Sequence, residues 1–147
     1  LDTDIMRSLV NAASGMAVTC HRAVDQAKDI HEAVESLKTL GVDRVLTSGQ
    51  AKVLSDGTPV LADLVRASED RIRIMAAGVE PENVGQIIAG SGVHEVHSAA
   101  AAVRPTRMAY VKGDAEMGAT EDFKLNVVDP EAVKRLKTEA EKAARGA

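Results

Sequence analysis

The stretch Asp29–Gly49, DIHEAVESLKTLGVDRVLTSG, decides the fold class. In its first half, apolar residues at positions 30, 33, 34, 37 and 40 have the spacing of one helix face. Asp29 followed by Glu32 resembles a capping box, and Gly41 stands just past the last helical turn. The second half, Arg44–Ser48, is a short run typical of a buried strand. The stretch therefore predicts one helix followed by one strand.

The same alternation of strands and helices extends along the chain in both directions. Strands are predicted at Met16–His21, Arg44–Ser48, Ile72–Met75 and Glu95–Ser98, about one βα unit apart. Helices are predicted at Asp4–Ala13 and after Asp29, Thr58-Pro59, Glu80-Pro81 and Asp129-Pro130, with Gly15, Gly41 and Gly90 just past helical runs. The predicted order is α-β-α-β-α-β-α-β-loop-α, which implies a parallel α/β sheet with right-handed crossovers.

Two architectures fit this order, a doubly wound open sheet and a (β/α)8 barrel. Four strands are half of what a barrel needs, so the barrel reading predicts a partial barrel with strand edges that require a partner. The 147 residues are about one domain. The chain starts at Leu1 rather than at Met, which indicates processing or a longer protein.

The composition excludes several classes of function. With 18 basic and 22 acidic residues the formal net charge is −4, whereas a general nucleic-acid binder carries a basic stripe. Tyr110 and Phe123 are the only aromatic residues, too few for stacking on bases. No apolar run is long enough to span a membrane. One cysteine, Cys20, excludes an internal disulfide and favours a reducing cytoplasm.

Candidate catalytic residues follow the first predicted strand. Parallel α/β folds bind ligands beyond the carboxyl ends of their strands, where His21, Arg22 and Asp25 stand here. An imidazole, a fixed cation and a carboxylate could bind an anion and move a proton. The alternative is a structural ion pair between Arg22 and Asp25 that His21 caps.

Candidate ligand-binding residues follow the next two predicted strands. Thr47, Ser48 and Gly49 offer hydroxyls and backbone N–H groups that could cradle a phosphate or a carboxylate, and Gly78 is a weaker case. The alternative is a turn that closes the strand. The chain has neither a P-loop nor a complete G-x-G-x-x-G motif.

The fourth predicted strand places Glu95 and His97 two residues apart, on one face, and ends at Ser98, a further ligand-binding candidate. A carboxylate beside an imidazole in a barrel interior is a candidate acid/base pair. Arg73 stands between two isoleucines, and we expect it to pair with Glu95 across neighbouring strands.

A metal site is the remaining possibility. Cys20 and Met75 are soft sulfur ligands of the kind that suits Cu(I), and His21 and His97 are imidazoles. Alternation along a regular strand puts Cys20 and His21 on opposite faces, and no closed zinc motif is present. A lone Cys or Met is more often a core residue than a ligand.

Several motifs together resemble the CutC copper homeostasis family. The segment Val18–Asp25, VTCHRAVD, is similar to that family's VTFHRAFD stretch, with Cys20 and Val24 in place of phenylalanines. Leu40–Gly49, LGVDRVLTSG, looks like its LG-x-x-RVLTSG signature. The similarity continues through positions 71–75, 78, 83, 95–98, 108, 110, 117 and 118.

The resemblance implies a partial TIM barrel, a cytoplasmic homo-oligomer and a role in copper handling. It covers the carboxyl-terminal part of that family, roughly strands five to eight, so residues 1–147 are expected to form a single half-barrel unit. Its open edges are expected to be covered by another chain, which supplies the amino-terminal half, or by symmetry-related copies. The implied ligand is a copper ion. For Cu(I) the candidate ligands remain Cys20 and Met75, although Cys20 stands where the family has phenylalanine and could instead be a smaller core residue. An enzyme acting on a small anionic molecule at the strand ends is the alternative.

Overall fold

A four-stranded parallel sheet forms the centre of the computed structural model, which describes residues 1–112 and 123–146. Its strands are β1 (Thr19–Cys20), β2 (Arg44–Thr47), β3 (Arg73–Ala77) and β4 (Glu95–His97), in that spatial order. The helices are α1 (Thr3–Ala13), α2 (Ile30–Thr39), α3 (Leu54–Ser68), α4 (Val84–Ser91) and α5 (Pro130–Arg145). A 3-10 helix, η1 (Arg22–Gln26), follows β1 directly. The predicted α/β class with a parallel sheet is confirmed.

Local capping signals set the start of two helices as the sequence predicts. The Asp29 carboxylate accepts hydrogen bonds from the backbone N–H groups of His31 and Glu32 at the start of α2. The Asp129 carboxylate does the same for Glu131, and Pro130 occupies the first position of α5. Both signals act within one helical turn, which is why the sequence alone reveals them.

The predicted starts of α3 and α4 are wrong. Helix α3 begins at Leu54, so Pro59 lies inside it. Its first turn packs against the loop after β2, since a Cβ on Gly57 would lie only 1.9 Å from the Ser48 carbonyl oxygen. Helix α4 begins at Val84, because the preceding residues form a turn instead. Its left-handed cap is Gly92 rather than the predicted Gly90, which is helical.

The segment after β4 contains strands where the sequence predicts a loop. Strands β5 (Ala101–Pro105) and β6 (Lys124–Val128) pair in antiparallel fashion, with Ala101 opposite Val128. The β-branched valines at 103, 127 and 128 favour this extended ribbon. Met117 and Gly118, which contribute to the family resemblance, lie outside the described residues.

The two faces of the parallel sheet have different surroundings. Val45 lies in register with Ile74, and Thr47 with Ala76; all four are fully buried on the side that packs against the helices. The alternating residues point the other way, are half-buried or exposed, and form what we call the open face: Thr19, Arg44, Leu46, Arg73, Met75 and Glu95. Helix packing thus covers one side of the sheet.

None of the described helices has the length and the apolar character that crossing a bilayer requires.

Candidate functional site

The carboxylate of Asp25 organises the carboxyl ends of β1 and β2. Helix η1 begins immediately after β1 and turns Asp25 toward the loop that follows β2. Its Oδ1 accepts the Thr47 hydroxyl at 2.5 Å and the Gln50 N–H at 3.2 Å. Its Oδ2 accepts the Ser48 N–H at 3.2 Å and the Arg22 Nε–H at 2.8 Å. One buried anion therefore binds two loops that belong to neighbouring strands.

Arg22 is the charged group of this network that solvent reaches. Its side chain is 51% exposed, whereas that of Asp25 is 5% exposed. Besides the bond to Asp25, the guanidinium donates from Nη2 to the Ser48 hydroxyl at 2.7 Å, and that hydroxyl donates to the Ala51 carbonyl at 2.8 Å. Two hydrogen bonds thus fix the orientation of a half-exposed cation at the strand ends.

The loop predicted as an anion cradle already holds an anion, the chain's own Asp25. The N–H groups of Ser48 and Gln50 donate to that carboxylate, and the Gly49 N–H donates to the Thr47 hydroxyl at 2.9 Å. The donors of the loop at 47–50 are therefore directed inward. An external anion at this edge would meet Arg22 rather than these N–H groups.

Two opposing effects act on the pKa of Asp25. Burial raises it, but the hydrogen bonds from Thr47, Arg22 and the backbone at Ser48 and Gln50 lower it, and the net result is a pKa below the usual value. Asp25 is therefore ionised at neutral pH and buried away from any ligand. The ion pair with Arg22 that the sequence offered as an alternative is present.

Gln50 is a member of the network that the sequence analysis missed. Its side-chain amide donates to the carbonyl oxygens of Asp25 at 3.2 Å and Ala27 at 2.6 Å, which ties the end of η1 to the loop after β2. Its backbone has a positive φ of 60°, uncommon for a residue other than glycine. A glutamine after a glycine carries no sequence signal for such a role.

His21 caps the start of η1, rather than the ion pair between Arg22 and Asp25 as the structural alternative has it. Its Nδ1 accepts the Ala23 N–H at 3.0 Å, so a neutral ring carries its proton on the exposed Nε2. In this state His21 is a hydrogen-bond donor toward solvent, which suits contact with an anion better than proton abstraction.

The end of β4 contributes an exposed imidazole, that of His97. The loop after β3 crosses beside it: Gly78 has a φ of 82°, and the Val79 N–H donates to the His97 carbonyl at 3.1 Å. The Ser98 hydroxyl accepts the Ala100 N–H at 3.0 Å and so closes a local turn. Among these strand-end residues, the His97 side chain is exposed and accessible to a ligand.

Glu95 lies on the open face, at the first residue of β4 and in register with Met75, below the strand-end residues. The predicted pair with Arg73 is present at 3.8 Å, although the Arg73 side chain is 62% exposed. The main partner is Arg44, which the sequence analysis did not identify and which donates at 2.5 Å and 3.1 Å to the two carboxylate oxygens. Strand β3 lies between Glu95 on β4 and the part of the Asp25 network on β2.

The structure does not bring together the two predicted sulfur ligands. Cys20 is in register with Val45 and packs against the core, whereas Met75 is on the open face. Burial raises the pKa of the Cys20 thiol, which disfavours the thiolate that binds metals. Within residues 1–112 and 123–146, no three His, Cys, Asp or Glu side chains are grouped to hold an ion. The described donor set does not fit a copper centre.

The fold and these residues define a class: a parallel α/β protein with polar side chains gathered at the carboxyl ends of its strands. The chain belongs to the CutC family, whose model matches residues 1–102, and the resemblance seen in the sequence is confirmed.

Individual relatives agree with this assignment. A CutC family protein of Parabacteroides distasonis is 39% identical over 138 residues, which cover 91% of this chain and 57% of the relative. One from Vibrio campbellii is 40% identical over 129 residues, 86% of this chain and 52% of the relative. The crystal structure of CutC from Streptococcus agalactiae, named for copper homeostasis, matches with a TM-score of 0.62 and 28% identity over 66% of this chain and 49% of that one. The chain thus spans about half the length of the relatives it matches.

Proposed function

We propose that the chain binds a small anionic molecule at the carboxyl ends of its strands, within a cytoplasmic (β/α)8 barrel of which it forms one half. The observation that carries this proposal is the half-exposed Arg22 guanidinium, held by Asp25 and Ser48. A cation whose orientation is fixed before binding loses little entropy when a phosphate or carboxylate arrives.

The partial barrel is part of the same proposal. Helices pack on one face of the sheet, whereas a doubly wound sheet carries them on both. The open face then becomes the barrel interior, and the strand ends become the barrel mouth, where enzymes of this architecture bind their substrates. The chain's length relative to its relatives is consistent with half of such a barrel.

The proposed chemistry divides the strand-end residues by role. Arg22 binds the anion, and Asp25 with Gln50 keeps Arg22 and its loop in place. His21 donates a hydrogen bond from Nε2, while the exposed imidazole of His97 gives or takes a proton.

The test is a titration of the isotopically labelled chain with inorganic phosphate, followed by ¹H–¹⁵N NMR. We expect shift changes concentrated at residues 21–23 and 48, and their loss in Arg22→Gln. Arg66→Gln is the matched control, because Arg66 is an exposed arginine on α3 with its own i,i+3 partner, Asp63. If phosphate causes the same shift changes in wild type and in Arg22→Gln, the proposal is contradicted.

Copper handling is the second candidate function, favoured by the family and by the name of the Streptococcus agalactiae relative. Cys20 is the softest ligand that this chain offers Cu(I), since it carries the single thiol. An anaerobic Cu(I) titration against a chromogenic chelator tests this, with Cys20→Ser and, as control, the exposed Met16→Leu. Tight binding that only Cys20→Ser abolishes supports copper handling by this chain. Binding that is equally tight in wild type and Cys20→Ser contradicts it.

A further inference from the structure

The guanidinium of Arg22 uses one of its two hydrogen-bonding edges inside the protein. Its Nε donates to Asp25 Oδ2 at 2.8 Å, and its Nη2 donates to the Ser48 hydroxyl at 2.7 Å. The two acceptor oxygens are only 3.2 Å apart, so they meet the guanidinium side by side, along the edge that Nε and Nη2 share. Asp25 and Ser48 therefore act on this edge as the two oxygens of a bidentate carboxylate would.

The other edge of the same guanidinium is left for a ligand. A guanidinium has five N–H donors in a planar fork, and the internal contacts use two of them. Within the described part of the chain, no hydrogen bond engages Nη1. The Arg22 side chain is 51% exposed, whereas Asp25 and Ser48 are buried. We call the unused pair, one N–H of Nη1 and the second N–H of Nη2, the outer fork.

The backbone donors of the neighbouring loop are already used. The N–H groups of Ser48 and Gln50 donate to Asp25, and that of Gly49 donates to the Thr47 hydroxyl. Phosphate sites built from loops rely on several such N–H groups that converge on the phosphate oxygens. The outer fork by itself matches two coplanar oxygens, which is the shape of a carboxylate.

The charge balance of the network favours a ligand with one negative charge. In residues 21–27 and 47–51 the charged side chains are Arg22 and Asp25, so the formal charge is zero when His21 is neutral. Attraction to Arg22 grows in proportion to the charge of an anion, whereas the cost of removing the anion from water grows with the square of that charge. Because Asp25 already offsets Arg22, the second charge of a dianion costs more in desolvation than it gains.

We infer that the ligand of Arg22 is a singly charged carboxylate, bound end-on by the outer fork, and not a phosphate group. The inference rests on the proposed function and narrows its ligand from small anions to carboxylic acids. Asp25 and Ser48 occupy the inner edge of the guanidinium and thereby leave the outer fork to the ligand.

The test compares acetate with inorganic phosphate, each titrated into the ¹⁵N-labelled 147-residue chain at constant ionic strength and followed at residues 21–23 and 48. At about pH 8 phosphate is a dianion, whereas acetate carries one charge. We expect acetate to bind about tenfold or more tightly than phosphate. Phosphate that binds within that factor of acetate, or more tightly, overturns the inference.

Arg22→Lys tests the outer fork itself, because lysine keeps the charge but cannot donate two parallel hydrogen bonds. We expect it to weaken acetate binding by about tenfold, while the matched control Arg66→Lys, on the exposed surface of α3, leaves acetate binding unchanged. Amide shifts at residues 47–50 without ligand show whether the network survives the substitution. Acetate binding to Arg22→Lys that equals wild type would overturn the inference.

The outcomes separate this inference from the proposed function on which it rests. If both anions shift the signals at residues 21–23 and 48 and phosphate binds as tightly as acetate, the inference is overturned and the anion site stands. If neither anion shifts these signals, both the inference and the anion site are overturned.

Discussion

Replacing Asp25 is the perturbation that the site geometry makes most informative. In Asp25→Asn the shape of the side chain is kept, but the charge opposite Arg22 is lost and an amide NH₂ replaces one acceptor oxygen. Thr47, Ser48 and Gln50 all donate to the native carboxylate, so at least one buried donor is left facing another donor.

The expected magnitude follows from the burial of each group. An unsatisfied buried hydrogen-bonding group costs about 1 to 3 kcal/mol. The ion pair contributes less than a buried pair would, because the Arg22 side chain is half-exposed and screened by water. We therefore expect Asp25→Asn to lower the free energy of unfolding by about 2 to 4 kcal/mol.

Urea unfolding followed by far-ultraviolet circular dichroism is the appropriate assay, since the chain has no tryptophan. Asp63→Asn is the matched control: Asp63 also pairs with an arginine three residues away, Arg66, but on the exposed surface of α3. We expect a loss below about 1 kcal/mol there. A loss at Asp25 no larger than the loss at Asp63 would refute the assigned role of the network.

The pH dependence gives an independent check of the same network. A carboxyl whose pKa is lowered in the folded state stabilises the protein above the pKa of the unfolded chain, and the effect disappears as pH falls through the folded value. The difference in unfolding free energy between wild type and Asp25→Asn is thus expected to be constant near neutrality and to shrink at acidic pH, below about pH 4. A difference that persists unchanged to the lowest pH would contradict a lowered pKa.

Three further substitutions test separate features of the fold. Gly57→Ala is expected to destabilise by at least about 2 kcal/mol in urea unfolding, because its Cβ would meet a backbone oxygen of the loop after β2. Gly85→Ala in α4, where an added Cβ meets open space, is the control and is expected to stabilise slightly. Equal effects of the two substitutions would contradict tight packing at Gly57. Glu95→Gln is expected to cost about 1 to 2 kcal/mol by leaving Arg44 without its charge partner, with a loss that decreases in high salt. Asp129→Ala is expected to cost about 1 kcal/mol through the lost cap of α5, and an unchanged midpoint would show that the cap does not matter.

Local interactions explain the parts of the fold that the sequence predicts well. The cap at Asp29, the periodicity of α2 and the pairing of Arg22 with Asp25 each act over one turn of chain. The predicted start of α3 is wrong because Gly57 packs against the Ser48 carbonyl of the loop after β2, which lies outside the helix. Local helix signals carry no information on that contact.

The sequence predicts which residues stand at the candidate site, but not how they are hydrogen-bonded to one another. Residues at strand ends were identified from strand position alone, yet the inward direction of the donors at 47–50 depends on Asp25, more than 20 residues earlier. The Arg44–Glu95 pair was missed for the same reason, since it joins β2 to β4 across an intervening strand. Sequence periodicity indicates which face a residue occupies, not which distant residue it meets.

The most direct test of the central claim is the ¹⁵N-detected signal of the Arg22 Nε–H at neutral pH. A guanidinium held by Asp25 and Ser48 predicts slow exchange of this proton with water, loss of that protection in Asp25→Asn, and a change of its shift when phosphate is added. An Arg22 signal that exchanges as fast as that of an exposed surface arginine, and does not respond to phosphate, would contradict a fixed cation at the strand ends.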